Sequence, residues 1–77
     1  MEGFNMLNKI IIKEKVTQEV KNIFMELQKD HKEKVEGIYE LYDELYVNGR
    51  CESYSLDRIY YVAYTLATKG IEFKING

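Results

Sequence analysis

Apolar residues recur along much of the chain at spacings of three and four, the period of an α-helix that turns one face to a core. Val16, Val20, Ile23, Phe24 and Leu27 form one such stripe and predict a helix over about 17–29. Val35, Ile38, Leu41, Tyr42 and Leu45 form a second, over about 31–47. Between Leu27 and Val35 lie seven polar residues, about two turns with nothing to bury. Two arrangements satisfy this gap. In one, the chain turns at Lys29 to His31, with Asp30 as N-cap and Glu33 in capping-box position, and forms an antiparallel helical hairpin. In the other, a single helix runs from about 17 to 47, since no Gly or Pro interrupts it before Gly37. So long a helix would need a second copy of the chain to cover its stripe.

Asn48-Gly49 supplies residues that tolerate positive φ, which predicts a helix end near Val47 and a loop through Cys51 to Tyr54. Ser55 then reads as an N-cap, with Asp57 in the first turn where a negative charge suits the helix dipole. A third helix is predicted over about 56–69, closed by Gly70. Nearer the termini the period changes. Ile71, Glu72, Phe73, Lys74 and Ile75 alternate as a strand does; over about 8–13 the three isoleucines Ile10, Ile11 and Ile12 favour a strand, while Ile12 also falls on the helical stripe of Val16 and Val20, so that a helix is the alternative there. An isolated strand leaves its backbone groups unpaired, so these two segments are expected to pair. The expected fold class is mostly α: three helical segments with a small two-stranded β element, in one domain over 1–77.

Composition narrows the function. With 77 residues, 45% hydrophobic and 31% charged, the chain has the balance of a soluble domain whose core is marginal unless good helix packing or self-association adds to it. A single cysteine, Cys51, and a single histidine, His31, allow neither an intrachain disulfide nor a Cys/His zinc site. A nucleophilic Cys51 would need His31 as its base, and His31 sits in the polar tract Gln28 to Lys34. Gly37, Gly49 and Gly70 are isolated and form no phosphate-binding motif. Glu36, Glu40, Asp43 and Glu44 offer paired carboxylates, but opposite Ile38, Leu41 and Leu45 they read as a solvated helix face rather than an acid-base site. No catalytic, metal-binding or cofactor-binding residue is assigned, no cofactor is expected, and the chain is expected not to be an enzyme.

The net charge of −2 conceals an uneven distribution: residues 1–35 carry +1, residues 36–57 carry −5 and residues 58–77 carry +2. A phosphate-binding domain usually shows a basic excess, so nucleic acid is an unlikely partner. The third helix offers only Arg58 and Lys69 toward base edges. No apolar run is long enough to span a bilayer, and Asn8 and Lys9 interrupt the N-terminal segment before an apolar signal core forms. A cytoplasmic protein with a reduced thiol is expected. The abundance of Lys, Ile, Tyr and Asn, 29 of 77 residues, points to an AT-rich genome such as that of a low-GC bacterium or its phage.

The distinctive feature is seven tyrosines with no tryptophan. At 100° per residue, Tyr42 falls within the second helix's stripe, with Tyr39 and Tyr46 on its border. On the third helix the apolar face centres on Ala63, with Leu56, Ile59, Tyr60, Leu66 and Ala67 around it. Tyr61 is expected on the opposite, polar face with Asp57, Thr65 and Thr68, and Tyr64 at the border. Rigid amphipathic rings in such places suit protein interfaces. Tyr39, Tyr46, Tyr61 and Tyr64, rimmed by Glu40, Asp43 and Glu44, are therefore the candidate protein-binding residues. The expected function is a small non-enzymatic protein-binding module, an adaptor, inhibitor or regulator that associates with itself as a homodimer or with a larger protein. Two alternatives are an acidic, phage-type inhibitor that mimics nucleic acid, built on residues 36–57, and a small helix-turn-helix-like DNA-binding regulator.

Overall fold

The three consecutive isoleucines take the extended conformation that branched Cβ atoms favour, and β1 (Asn8–Ile12) becomes the middle strand of an antiparallel sheet. The computed structural model describes residues 6–31 and 37–76. In chain order the further elements are α1 (Gln18–His31), α2 (Ile38–Asn48), β2 (Arg50–Ser53), α3 (Leu56–Thr68) and β3 (Phe73–Ile75). The fold is mostly helical, with a small antiparallel sheet of strand order β2-β1-β3.

The sheet has one strand more than the sequence predicts. Residues 50–53 were expected in a loop, yet they pair with β1, setting Ile10 opposite Cys51 and Lys9 opposite Glu52. On its other side β1 pairs with β3, Ile10 opposite Ile75 and Ile12 opposite Phe73. The physical reason is backbone pairing: with β3 on one edge only, half of β1's buried backbone groups would lack partners. One face of the sheet therefore carries Asn8, Ile10, Ile12 and Cys51, all buried, while Lys9, Arg50, Glu52 and Lys74 lie exposed around Ile11 on the other.

The helices form on local signals. Thr17 Oγ1 accepts from the Val20 amide (3.4 Å) at the start of α1, and Ser55 Oγ accepts from the Arg58 amide (3.3 Å) at the start of α3. Gly49, at φ 73°, donates its N–H to Leu45 and closes α2, and Gly70, also at φ 73°, follows α3. Gly37 caps the start of α2 at φ 80°, a conformation no helix passes through, so α1 and α2 are two helices and the single 17–47 helix is excluded. They run antiparallel: Gln28 Nε2 donates to the Tyr39 carbonyl (3.0 Å) at one end, and Lys21 Nζ lies 5.3 Å from the centre of the Tyr46 ring at the other. Asp30 lies within α1 and is not the cap of α2. The Glu33 capping partner lies outside the described residues.

The core joins all three helices to one face of the sheet. Ile10, Phe24, Ile38, Tyr42, Leu45, Ile59, Val62 and Leu66 are wholly buried in it, and each such side chain contributes about 1.5–3 kcal/mol. Asn76 fastens the last strand to the first. It accepts from the Lys9 amide (2.8 Å) and donates to Asn8 Oδ1 (3.2 Å), in a positive-φ conformation (55°) that asparagine tolerates.

Candidate functional site

Leu56, Tyr60 and Tyr64 follow one another at one turn along α3 and expose 45%, 57% and 73% of their surface. Ala67 is exposed on the same side, and Ala63, 8% exposed, marks where this side meets the core. At 100° per residue these five point within about 60° of one direction. The side chains that α3 turns into the core are Ile59, Val62, Ala63 and Leu66, with Thr65 also buried. The buried face is thus rotated by about 70° from the Ala63-centred face predicted from the sequence.

That rotation corrects three expectations. Tyr60 and Leu56, assigned to the core side, are exposed. Thr65, assigned to the polar side, is buried, with its hydroxyl donating to the Tyr61 carbonyl (2.9 Å). Tyr61, expected to be solvent-exposed, is half-buried and packs against the core. The signal that would have placed Leu56 and Tyr60 outside lies in the sequence. Apolar positions from Val62 round to Tyr64 cover an arc of about 200°, whereas a surface helix needs little more than about 100° to meet a core.

The seven candidate residues do not make one surface. Tyr39, half exposed, and Tyr46, half-buried, lie on the α1 flank of α2, and the cation of Lys21 stands over the Tyr46 ring. Glu40 and Asp43 are exposed on the outward side of α2. Glu44 lies on the opposite flank, in a shallow hollow shared with Lys9, Arg50 and Glu52. Tyr61 and Tyr64 border a groove between the end of α1, at Leu27 and Asp30, and the second half of α3. Tyr64 is the one candidate that belongs to the exposed apolar stripe of α3.

The titratable groups of the interior are held neutral. Burial pushes the Cys51 thiol up to about 12, and Glu44 and Glu52 add to the effect. A thiol so placed is a poor nucleophile. Burial likewise pushes the Tyr42 hydroxyl up to about 12, with its hydrogen bond to Thr65 acting the other way and Tyr61 and Cys51 adding to the rise. Among the described residues no group of three or more His, Cys, Asp or Glu is placed to hold a metal ion, and no helix is long and apolar enough to cross a membrane. Comparison with protein-family models, with curated proteins and with solved structures returns no match.

Proposed function

We propose that this chain is a small, non-enzymatic protein-binding module whose contact surface is the outer face of α3. The observation that carries the reading is the stripe Leu56, Tyr60, Tyr64 and Ala67, which the chain's own core leaves open. Exposed leucine and tyrosine side chains spaced one turn apart form the side of a helix that a partner helix or groove can cover. Tyrosine suits this role because its ring contributes contact area while its hydroxyl stays hydrated. Self-association and regulation of a larger protein both follow from one such surface.

The placement of charge favours this reading over its alternatives. An acidic mimic of nucleic acid needs its carboxylates massed, but Glu44 and Glu52 share their hollow with Lys9 and Arg50. A recognition helix needs donors toward base edges. The outer face of α3 instead presents leucine, tyrosine and alanine, while the guanidinium of Arg58 lies against Gly37 at the start of α2. The test uses the immobilised chain and its Tyr60→Lys/Tyr64→Lys variant, each offered cell extract and the same chain in solution. The wild type is expected to retain protein that the variant loses, with the variant's circular dichroism unchanged. Equal retention by the two would move the contact surface elsewhere, and retention of duplex DNA at low salt would favour the DNA-binding alternative.

A further inference from the structure

β3 is an edge strand: in the order β2-β1-β3 only β1 pairs with it. Lys13 donates its amide to the Glu72 carbonyl (3.0 Å), and Asn76 donates its amide to the Lys9 carbonyl (2.8 Å). Residues 72, 74 and 76 therefore turn their backbone groups toward β1, and the N–H and C=O of Phe73 and Ile75 point away from it. Such outward groups are a template for a further strand unless something guards them. The opposite edge is guarded. Ile12 donates to the Gly49 carbonyl and Ile10 stands opposite Cys51, so the outward-turned residues of β2 are the charged Arg50 and Glu52. α2 packs beside them, with Glu44 and Asn48 lining the same hollow. On β3 the outward-turned residues are Phe73 and Ile75, both apolar and half-buried.

We infer that two copies of this chain pair edge to edge through antiparallel β3 strands, related by a two-fold axis at Phe73, into one continuous sheet. The charges on this edge select the partner and the register. Glu72 and Lys74, both exposed on the outer face of the sheet, flank Phe73. In the antiparallel pair Phe73 exchanges two backbone bonds with the partner's Phe73, Glu72 stands opposite the partner's Lys74, and Ile75 stands opposite the partner's Ile71. The neighbouring registers fail. A two-fold axis at Lys74 sets lysine on lysine, and one at Glu72 sets glutamate on glutamate. An axis at Ile75 requires Asn76 to extend the strand, but Asn76 is held at φ 55° with its side chain bound to Lys9 and Asn8. Lys74 thus repels most strands while Glu72 accepts one, a second copy of its own. The contact is short, so the dimer is weak and concentration-dependent. It uses no residue of the outer stripe of α3, which stays open to another protein.

Charge exchange reads this register directly. Lys74→Glu gathers four carboxylates across the pair, and Glu72→Lys gathers four amines. Each variant alone should raise the dimer dissociation constant about tenfold or more in light scattering. Both positions are exposed, so circular dichroism should not change. Mixed one to one, the two variants set acid against base at both places, and the mixture should recover the wild-type dissociation constant. The doubly exchanged chain Glu72→Lys/Lys74→Glu should dimerise by itself as the wild type does. A wild-type dimer that both single variants keep, or a loss that neither the mixture nor the double exchange restores, overturns the β3 register. A wild-type dimer lost with Tyr60→Lys and kept with Lys74→Glu overturns the edge and moves the pairing to α3. A wild-type chain that stays monomeric to millimolar concentration overturns self-pairing, yet leaves the protein-binding reading standing if the Tyr60→Lys/Tyr64→Lys variant still loses retained protein.

Discussion

The hydroxyl of Tyr42 on α2 is hydrogen-bonded to the hydroxyl of Thr65 on α3, inside a core where Tyr42 exposes none of its surface. Thr65 also donates to the carbonyl of Tyr61 one turn earlier. This buried polar contact accompanies the rotation of α3 that turns Ile59, Val62, Ala63 and Leu66 into the core. With Thr65 turned inward, Val62 and Leu66 fill the core, and Leu56, Tyr60 and Tyr64 are left outside. The stripe proposed as the contact surface is thus a consequence of the same packing.

Removing only the Tyr42 hydroxyl should be felt. Tyr42→Phe keeps the ring and loses the bond to Thr65, at an expected cost of about 1 kcal/mol, which in a domain of this size lowers Tm by roughly 4–8 °C. Thermal unfolding of Tyr42→Phe, Thr65→Val and the double variant measures the coupling between them. A Tyr42→Phe chain as stable as the wild type would contradict the bond.

Alkaline pH should unfold the protein through its two buried acids. Burial raises Cys51 from 9.0 to about 12 and Tyr42 from 10.0 to about 12. Both therefore hold their protons more tightly in the folded chain than in the unfolded one. The stability they contribute is complete below about pH 9 and is lost as pH rises through the window from 9 to 12. Urea midpoints at pH 8, 9.5 and 11 should fall in that order. Cys51→Ala should reduce the decline from its onset near pH 9, and Tyr42→Phe should reduce the part above pH 10.

The thiol itself reports on the same burial. Cys51 is 1% exposed, in β2 opposite Ile10, so an aromatic disulfide reagent at pH 8 should label it only when the chain opens. Full labelling within seconds in the native protein would contradict this placement.

Two glycines should respond differently to alanine. Both Gly49 and Gly70 sit at φ 73°, but a Cβ on Gly49 would meet Val16 Cγ2 at 3.0 Å, whereas one on Gly70 meets nothing within 4 Å. Gly70→Ala should cost only the left-handed penalty, about 1–2 kcal/mol. Gly49→Ala should cost more, because the α1-side valine must also shift. Denaturant unfolding of the two variants gives the comparison, and equal losses would contradict it.

Local signals were legible and side-chain rotation was not. Thr17, Ser55, Gly49 and Gly70 mark helix ends by chemistry confined to one turn, and the helices begin and end beside them. The strand Arg50–Ser53 was obscured because its alternation is only four residues long, has one apolar member, and directly follows a helix-ending glycine. The demand for it came from a distant place, the second edge of β1. On α3 the apolar arc is wide enough to fit a core in more than one rotation. The sequence pattern favours Ala63 as its centre, whereas in the fold the buried face runs from Ala63 through Ile59, Leu66 and Val62 to Thr65. The acidic and aromatic candidates of α2 shared a helix in sequence, but they point to three different flanks once α1 and β2 pack beside it.

The most direct measurement of the central proposal is an NMR dilution series on the full chain carrying Lys74→Glu, which keeps the β3 edges apart, from millimolar to low micromolar concentration, following each backbone amide. The account predicts concentration-dependent shifts and broadening confined to the Leu56, Tyr60, Ala63, Tyr64 and Ala67 region, with the sheet amides of β1, β2 and β3 unmoved. Shifts clustered on the sheet edges or on Tyr39, Glu40 and Asp43, with α3 unchanged, would contradict it.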